Sequence, residues 1–552
     1  MFALTSVWVV GIVEAPLQNS PQSTRLPNYA PDRDSSRPQP ASLRPVPAWP
    51  AGLDSSSYAR LVAAIIVLLT IAKFVVAAVT PLSFDEALYW RYSLHLAPGF
   101  MDHPFMNPLM IRVGTSLFGQ TPFGVRFMSV LLGLPASWAV WRTSLVLFDD
   151  RKLATTAALF FNLTVVMTAG AVVATSDQIV VVTTCFLMLT LAELNRSGQG
   201  AWWVAVGFVF GLGLCSKYTT VFFAVSILAW LLIVPSQRRW LLSYWPWLGG
   251  AAALAVFSPV LIWNAEHQWA SVVYQSGRLA ILGWSTRYVA ELIAAAVILA
   301  TPPIFVLAVV GFAKLCERNL PTASSRILVV AMIAPMTAYF IWHATHERVQ
   351  ANWIEPIYPA LAIAAAWAAQ HPRPGSDSWV RWSRRLASSI AFALAAFIYV
   401  EAAIGILPLR GHSPRDRVLA VGWSDLAKEV EKVRLDIGAK AILTTDYTVA
   451  SWGKFYLPRD TSIEQVNQRL RWINEPVPNP ELFKGPTLYL CRGDCAKVID
   501  IRRRYRKVDL IESIKRKDGL YDIGSYSMYR LSDPVGPTFD LATVAQIADR
   551  DD

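Results

Sequence analysis

The chain has 552 residues, of which 54% are hydrophobic and 16% are charged, and its mean hydropathy is +0.38. Soluble proteins carry about 25% charged residues, so this composition excludes an ordinary soluble protein and predicts one that lies largely in lipid. The net charge of +11 does not indicate a nucleic-acid partner, because basic residues in membrane proteins hold cytoplasmic loops in place and meet anionic headgroups.

Residues 1–58 begin with an apolar run too short to span a bilayer and continue as a stretch rich in Pro, Ser and Arg. We interpret this segment as a disordered cytoplasmic extension. A signal peptide is the weaker interpretation, because no basic residues precede the apolar run and Glu14 stands where a cleavage motif should be.

Apolar segments of roughly 15 to 25 residues recur from Arg60 onward, and each can cross, or nearly cross, about 30 Å of hydrocarbon as a helix. About eleven spans are predicted, at 60–80, 123–147, 153–173, 178–194, 201–216, 219–235, 244–263, 289–313, 326–343, 354–370 and 386–407. Only Lys217 and Tyr218 separate 201–216 from 219–235, so the chain there must turn tightly or form a broken helix.

The orientation of these spans follows from their loops. With the N-terminus inside, basic residues such as Arg151 and Arg238 fall in cytoplasmic connections, as the positive-inside rule requires. We therefore predict an α-helical polytopic membrane domain, 59–407, with a large first external loop, 81–122. An odd number of spans exports the tail, 408–552, to the periplasmic side.

The tail is as polar as a soluble domain and is predicted to be a small α/β domain with a possibly disordered end. A helix is expected at 423–435, and strands at 441–443 and 487–491. If the tail lies outside the cytoplasm, Cys491 and Cys495 can form a small-loop disulfide. Because the tail has no nucleotide-binding fingerprint, we expect it to cover or shape a site.

An acidic pair, Asp85-Glu86, follows the first span directly. A carboxylate there can act as a general base that takes the proton of an attacking hydroxyl group. Ser83 and Glu86 also have the spacing of a capping box at the head of an amphipathic helix. Both interpretations can hold at once, and spacing alone favours the helix cap.

Two further acidic sites lie in loops. Asp102-His103 could bind a divalent metal ion or position a phosphate, and the alternative is a turn before Pro104 with an incidental histidine. Asp177 could be a charge favoured by a helix dipole, with Ser176 as the cap. The predicted topology places Asp177 on the same side of the membrane as Asp85, and two such acids at the lipid–water boundary indicate a site.

Cations that could bind a lipid phosphate come from three segments. Lys217 is bracketed by apolar runs, where an uncompensated ammonium is costly, so we expect it to have an anionic partner. Arg278, His346 and Arg348 are further donors in external loops, where each can equally be a surface charge. Trp353 could stack on a sugar, although tryptophan is common at membrane borders.

Several segments occur in an order that carries a family resemblance: DEALYWRYSLHLAPGFMDHPF, TSDQI, SKYTTVFF, PVLIWNAEHQWASVVYQSGR, ANWIEPIYP, VGWSDLAKEV and TTDYTVASWGKFYLP. Together they resemble the bacterial membrane glycosyltransferases related to protein O-mannosyltransferases and to the lipid A aminoarabinose transferase. The resemblance covers about 60–490. It implies the GT-C fold, a site at the outer membrane face and a polyprenyl-phosphate-linked sugar as donor.

The resemblance also implies site residues. Asp85 matches the first-loop acid proposed as base or acceptor-site carboxylate, and Asp177 matches the acid of a TPD motif that reads TSD here, which loosens the turn before it. Asp85 is therefore expected to be the base, with Glu86 and Asp177 as its partners. The expected substrate-binding residues are Asp102, His103, Lys217, Arg278, His346, Asn352 and Trp353, of which Lys217 and Arg278 would hold the phosphate.

No cofactor is certain from the sequence. Asp85, Asp102, His103 and Asp177 could assemble a divalent metal site if they lie within coordination distance of one another. They could equally act without a metal.

The function expected from these residues is transfer of a sugar from the lipid-linked donor to a hydroxyl of lipid A, another glycolipid or oligosaccharide, or a protein. Attack opposite the phosphate would invert the anomeric centre. The rivals are a transporter or flippase of lipid-linked sugars, which should show repeated halves, and a non-catalytic scaffold. The expected location is the bacterial inner membrane.

Overall fold

A computed structural model describes residues 53–277, 283–317, 322–372, 378–407, 413–493, 495 and 497–542. Most of the predicted extension 1–58 and the predicted phosphate ligand Arg278 lie outside these residues. The described residues between 55 and 404 form mainly helices, and those after 413 form a mixed sheet with helices.

The helices of the first part follow the apolar segments of the sequence. They are α1 (Ser55–Val79), α2 (Phe84–Leu94), α3 (Met106–Phe118), α4 (Pro122–Leu131), α5 (Gly133–Phe148), α6 (Arg151–Leu163), α7 (Val165–Thr168), α8 (Ser176–Ser197), α9 (Trp202–Leu214), α10 (Phe222–Ile233), α11 (Trp245–Glu266), α12 (Ala270–Gly277), α13 (Arg287–Ala300), α14 (Pro302–Leu315), α15 (Ala323–His343), α16 (Tyr358–Gln370) and α17 (Ser378–Ile404). Short 3-10 turns include Tyr218–Val221 before α10 and Ala351–Ile357 before α16.

Each predicted span overlaps at least one of these helices, but the count of eleven is not confirmed. Among the described residues, six helices are long and apolar enough to cross a membrane. The number is nine if each of three bent pairs of helices is one span.

The segment 289–313, predicted as a single span, is not one straight helix. It divides into α13 and α14, which meet at an angle of 104°. Thr301 between them has a φ of 68°, and Pro302 and Pro303 follow it. Proline lacks an N–H and is accommodated in the first turn of a helix, so this pair starts a new helix instead of continuing the old one. The segment 153–173 is likewise bent, by 66°, after α6.

Close packing of α9 against α11 depends on small residues. A Cβ added at Gly207 would lie 1.8 Å from the backbone oxygen of Gly249, so only glycine permits the two helices to approach this far. Such small-residue contacts are typical of helix pairs in membranes, where van der Waals packing rather than the hydrophobic effect drives association.

The C-terminal domain contains a five-stranded sheet in the order β2-β1-β3-β5-β4. Strand β1 pairs in parallel with β2 and β3, and β5 pairs antiparallel with β3 and β4. Its strands are β1 (Ala441–Thr444), β2 (Ser462–Gln465), β3 (Thr487–Arg492), β4 (Tyr505–Asp518) and β5 (Tyr521–Pro534). Its helices are α18 (Pro414–Val418), α19 (Trp423–Asp436), α20 (Tyr447–Tyr456) and α21 (Val498–Arg502).

The helix predicted at 423–435 is therefore present as α19, and the two predicted strands are β1 and β3. Cys491 and Cys495, whose pairing the sequence leaves open, form a disulfide with their Cα atoms 5.6 Å apart.

The C-terminal domain packs directly on α2, the helix that carries Asp85. The ring of Phe84 lies 6.3 Å from that of Trp452, and the ring of Trp90 lies 4.7 Å from that of Phe455. The backbone N–H of Ala420 also donates to the oxygen of Leu82 at 2.8 Å. The first-loop helix is thus enclosed between the membrane helices and the C-terminal domain.

Candidate active site

Glu86 is the most completely bonded acid of the first loop. The predicted capping box is present, because Glu86 N donates to Ser83 Oγ at 3.2 Å and Ser83 N donates to Glu86 Oε2 at 2.9 Å. Arg126 grips both carboxylate oxygens at 2.7 Å through Nε and Nη2, and the N–H of Ala174 donates at 3.1 Å. The carboxylate is fully buried.

These donors determine the charge of Glu86. Burial would raise the pKa of its carboxyl, but the guanidinium of Arg126 and the hydrogen bonds outweigh burial, so the pKa is lowered. Arg126 also donates to the backbone oxygens of Thr80 at 2.7 Å and Pro81 at 2.8 Å. Glu86 is thus an ionised anchor that fixes the turn before α2, which fits the predicted positional role rather than proton transfer.

Asp85 lies in the first turn of α2, where the helix dipole favours its negative charge. Its side chain is buried, with 7% of the residue exposed. The C-terminal domain contributes the nearby Tyr447, whose phenol pKa is raised by burial and, next in size, by the charge of Asp85. Asp85 is therefore flanked by a group from a distant part of the sequence.

Asp102 forms a second buried ion pair, and its partner again comes from the C-terminal domain. Arg471 Nη1 donates to Asp102 Oδ1 at 2.5 Å, and the phenol of Tyr92 donates to Oδ2. Burial would lower the pKa of Arg471, but the charge of Asp102 raises it well above its ordinary value. Burial and Asp102 together raise the pKa of Tyr92. His103 is buried nearby, with its ring 6.2 Å from that of Tyr89.

Asp177 lies at the start of α8 in a third buried cluster. Lys217 Nζ donates to Asp177 Oδ1 at 2.6 Å, and Asn352 Nδ2 donates to Oδ2 at 2.8 Å. The prediction that Lys217 has an anionic partner is confirmed. The N-cap of α8 is Thr175 rather than the expected Ser176, because the Thr175 side chain accepts from the N–H of Gln178.

Glu355, which was not among the predicted site residues, lies in the 3-10 turn between Asn352 and α16. Its side chain is fully buried, and neither carboxylate oxygen accepts a hydrogen bond within the described residues. It interacts electrostatically with Asp177 and Lys217. A glutamate inside the apolar segment WIEPIYP was the available signal, because a carboxyl group there must be paired or protonated.

Backbone contacts bring these segments together around Ala174. Glu86 accepts from the N–H of Ala174, and Asn107 Nδ2 donates to the backbone oxygen of Ala174 at 3.1 Å. Two residues further on, the hydroxyl of Ser216 donates to the oxygen of Ser176 at 2.9 Å. The first loop, the start of α8 and the segment around Lys217 therefore meet.

Two predicted residues lie apart from these acids in their contacts. Trp353 packs against α15, with its ring 5.8 Å from Phe340 and 6.0 Å from His343. His346 contacts Trp342, at 5.2 Å between ring centres, and Trp284, at 5.6 Å. Their roles as substrate-binding residues remain predictions.

The metal site that the sequence left open is not assembled. In the part of the chain that the structure describes, no group of three or more His, Cys, Asp or Glu side chains could hold a metal ion. The physical reason is that two of the four candidate ligands bind cations of the protein itself. Asp102 pairs with Arg471, and Asp177 pairs with Lys217.

The sequence is similar to those of known membrane glycosyltransferases. Residues 102–263 match the family model of dolichyl-phosphate-mannose-protein mannosyltransferases. The lipid A galacturonosyltransferase RgtD of Rhizobium johnstonii is 23% identical over 385 residues, which cover 68% of this chain and 78% of that protein. An undecaprenyl phosphate-α-4-amino-4-deoxy-L-arabinose arabinosyl transferase of Pseudomonas fluorescens is 31% identical over 153 residues, 26% of each chain.

The fold has a close counterpart among solved structures. The crystal structure of ArnT from Cupriavidus metallidurans bound to undecaprenyl phosphate matches with a TM-score of 0.61 at 13% identity, over 86% of this chain and 98% of that one. The apo structure of the same protein matches with a TM-score of 0.57. The resemblance to the GT-C membrane glycosyltransferases related to protein O-mannosyltransferases and to the lipid A aminoarabinose transferase is therefore confirmed.

Proposed function

We propose that this chain is an integral-membrane glycosyltransferase that moves a sugar from a polyprenyl-phosphate-linked donor to a hydroxyl group. The observation that carries the proposal is the buried hydrogen bond from Ala174 to Glu86, which joins the turn of Asp85 to the segment that leads to the buried Asp177–Lys217 pair. Water exclusion favours transfer to a bound acceptor over hydrolysis of the donor. The relatives named for lipid A galacturonosyl and aminoarabinosyl transfer support the same reaction class.

The reaction is a single inverting displacement. The acceptor oxygen forms a bond to the anomeric carbon while the bond from that carbon to the phosphate breaks, and the phosphate keeps the electron pair. Asp85 takes the proton of the acceptor hydroxyl as general base. The products are the glycosylated acceptor and polyprenyl phosphate.

Cations stabilise the departing phosphate. Lys217 is the proposed ligand from the described residues, and Asp177 is its counter-ion before the donor binds. Asn352 fixes the orientation of Asp177. Arg278, which lies outside the described residues, is the second proposed ligand. Preorganised charges of this kind act strongly because the site is dry and they need no rearrangement during the reaction.

The acceptor that we favour is lipid A, because RgtD is named for it. Another glycolipid or oligosaccharide and a protein hydroxyl are compatible with the same chemistry. We place the enzyme in the bacterial inner membrane, with the N-terminus cytoplasmic and the C-terminal domain periplasmic. The Cys491–Cys495 disulfide supports that side, since disulfides persist in oxidising compartments.

The experiment uses the purified full chain in liposomes with undecaprenyl-phosphate-linked aminoarabinose or galacturonic acid and lipid A. We expect mass spectrometry to detect an added sugar on the acceptor and the release of undecaprenyl phosphate. Movement of the donor across the bilayer without its consumption would contradict the proposal and favour a transporter. Analysis of envelope glycolipids from a deletion strain identifies the natural acceptor if neither sugar transfers.

A further inference from the structure

Three residues of one segment of the C-terminal domain, 468–475, contact the first loop, which includes α2, and α11. Glu475 accepts two hydrogen bonds of 2.6 Å from Arg91 on α2. Asn474 donates to the oxygen of Gly99 at 2.8 Å and accepts from Trp263 Nε1 on α11 at 3.1 Å. The third residue, Arg471, forms the ion pair with Asp102. This segment is therefore fitted between the first loop and α11.

The contact between Trp263 and the first loop leaves no room for adjustment. A Cβ added at Gly99 would lie 2.5 Å from the indole ring of Trp263. The same indole stacks on His267, with 4.3 Å between the ring centres. The loop that carries Asp102 is thus held in one place by aromatic packing and by Asn474.

Arg471 has the surroundings of a residue whose position is fixed. Its side chain is 4% exposed, its guanidinium lies 4.4 Å from the centre of the Tyr447 ring, and Nη2 donates to Gln468 at 3.3 Å. Nε donates to no acceptor within the described residues. Burying a guanidinium whose Nε–H has no acceptor costs folding free energy. The position of Arg471 beside Asp102 therefore indicates a role other than stabilising the fold.

Three side chains donate hydrogen bonds to Asp102. Arg471 and Tyr92 bind its two carboxylate oxygens, and the side chain of Gln275 donates to its backbone oxygen. The ring of Tyr447 packs against Arg471. Burial and, next in size, the charge of Asp85 raise the pKa of the Tyr447 phenol. The guanidinium of Arg471 therefore contacts both Asp102 and Tyr447, and the charge of the proposed base, Asp85, acts on Tyr447.

We propose that Arg471 is a positioning residue of the active site, through which the C-terminal domain holds Asp102 and Tyr447 in their working arrangement around Asp85. The inference rests on the proposed function. It makes the C-terminal domain a component of the site, whereas the sequence predicted a cover or a shaping element.

The test compares three single variants in the transfer assay. Arg471→Gln removes the charge that holds Asp102, and we expect kcat/KM to fall about 100-fold, the effect of a displacement near 1 Å at a reacting centre. Arg471→Lys keeps the charge and should recover at least a tenth of the wild-type value. Arg469→Gln is the matched control. Arg469 lies in the same segment, 3.6 Å from Glu464, and within the described residues the cation paired with Asp102 is Arg471.

A fourth variant separates positioning from docking. Arg91→Gln breaks the ion pairs with Glu464 and Glu475 that attach the domain to α2. We expect it to lower the melting temperature while the folded fraction keeps activity within about threefold of wild type, because Asp102 retains its partner. Adding Asp102→Asn to Arg471→Gln should cause little further loss, since both changes remove the same interaction.

Three outcomes overturn the inference. Arg471→Gln could retain wild-type kcat/KM, Arg91→Gln could lose as much activity as Arg471→Gln, or the Asp102 and Arg471 effects could simply add. A wild-type protein that moves the donor across the bilayer without consuming it would overturn the proposed function itself, and the inference with it. Wild-type transfer therefore has to be measured before the variants are compared.

Discussion

Glu86 and Glu355 are both fully buried glutamates, yet their carboxylates have opposite hydrogen-bonding environments. Glu86 accepts hydrogen bonds from Arg126, Ser83 and Ala174, whereas neither oxygen of Glu355 accepts one within the described residues. Full compensation makes Glu86 a permanent anion with a structural task. Because Glu355 lies beside the anion of Asp177 without a hydrogen bond, its neutral acid is the form that burial favours. Burial alone thus does not determine the charge of an acid, because the donors around each carboxylate decide whether its ionised form is compensated.

The largest effect is expected from Glu86→Gln. The variant keeps the size of the side chain but leaves the buried guanidinium of Arg126 without a counter-charge, which costs about 3–5 kcal/mol. Unfolding in detergent measures the loss in free energy. The exposed Glu429 on α19 is the matched control, and Glu429→Gln should change the free energy of unfolding by less than about 0.5 kcal/mol. Equal values for the two variants would break the comparison.

The next largest effect is expected from Lys217→Met. Within the described residues, the buried Asp177 then keeps Asn352 as its side-chain donor, and we expect a loss of about 2–3 kcal/mol in stability. Adding Asp177→Asn should restore most of this stability, because no buried charge then remains. If Lys217 binds the donor phosphate, the double variant should fold well and still transfer no sugar. Full transfer by the double variant would remove Lys217 from the proposed site.

The pH dependence of stability distinguishes the two glutamates further. The folded-state pKa of Glu86 is lowered relative to its ordinary value of 4.5. Its contribution to stability is therefore present above that value and is lost as the pH falls through the lower folded pKa. Thermal unfolding of wild type at decreasing pH should show this loss, and Glu86→Gln should lack it. A wild-type profile that is flat below pH 4.5 would contradict an ionised Glu86.

The smallest effect on stability is expected from Glu355→Gln. The amide has the shape of the protonated acid, so we expect the free energy of unfolding to stay within about 1 kcal/mol of wild type. A loss as large as that of Glu86→Gln would mean that Glu355 is ionised and compensated, and the contrast between the two residues would fail. The same unfolding assay provides both values.

Local sequence patterns predicted what local physics determines. The capping box of Ser83 and Glu86, the helix at 423–435 and the need of Lys217 for an anion all follow from near neighbours or from hydrophobicity. Pro302 and Pro303 likewise account for the 104° bend within the segment 289–313, which the sequence predicts as one span.

The long-range pairs were not predictable in this way. Arg126 meets Glu86 across 40 positions, and Arg471 meets Asp102 across 369. No periodicity or spacing connects such residues, since the fold alone brings them together. The metal hypothesis arose for the same reason, because the cations that neutralise Asp102 and Asp177 could not be assigned from the sequence.

The most direct test of the account replaces the proposed base. Purified Asp85→Asn protein is given the polyprenyl-phosphate sugar and the acceptor that wild type uses, and Asp425→Asn, an exposed acid on α19, serves as the control. We expect Asp85→Asn to lose at least about 100-fold in kcat, since a general base contributes 10²–10⁴-fold, while Asp425→Asn matches wild type. Undiminished transfer by Asp85→Asn would contradict the assignment of the base.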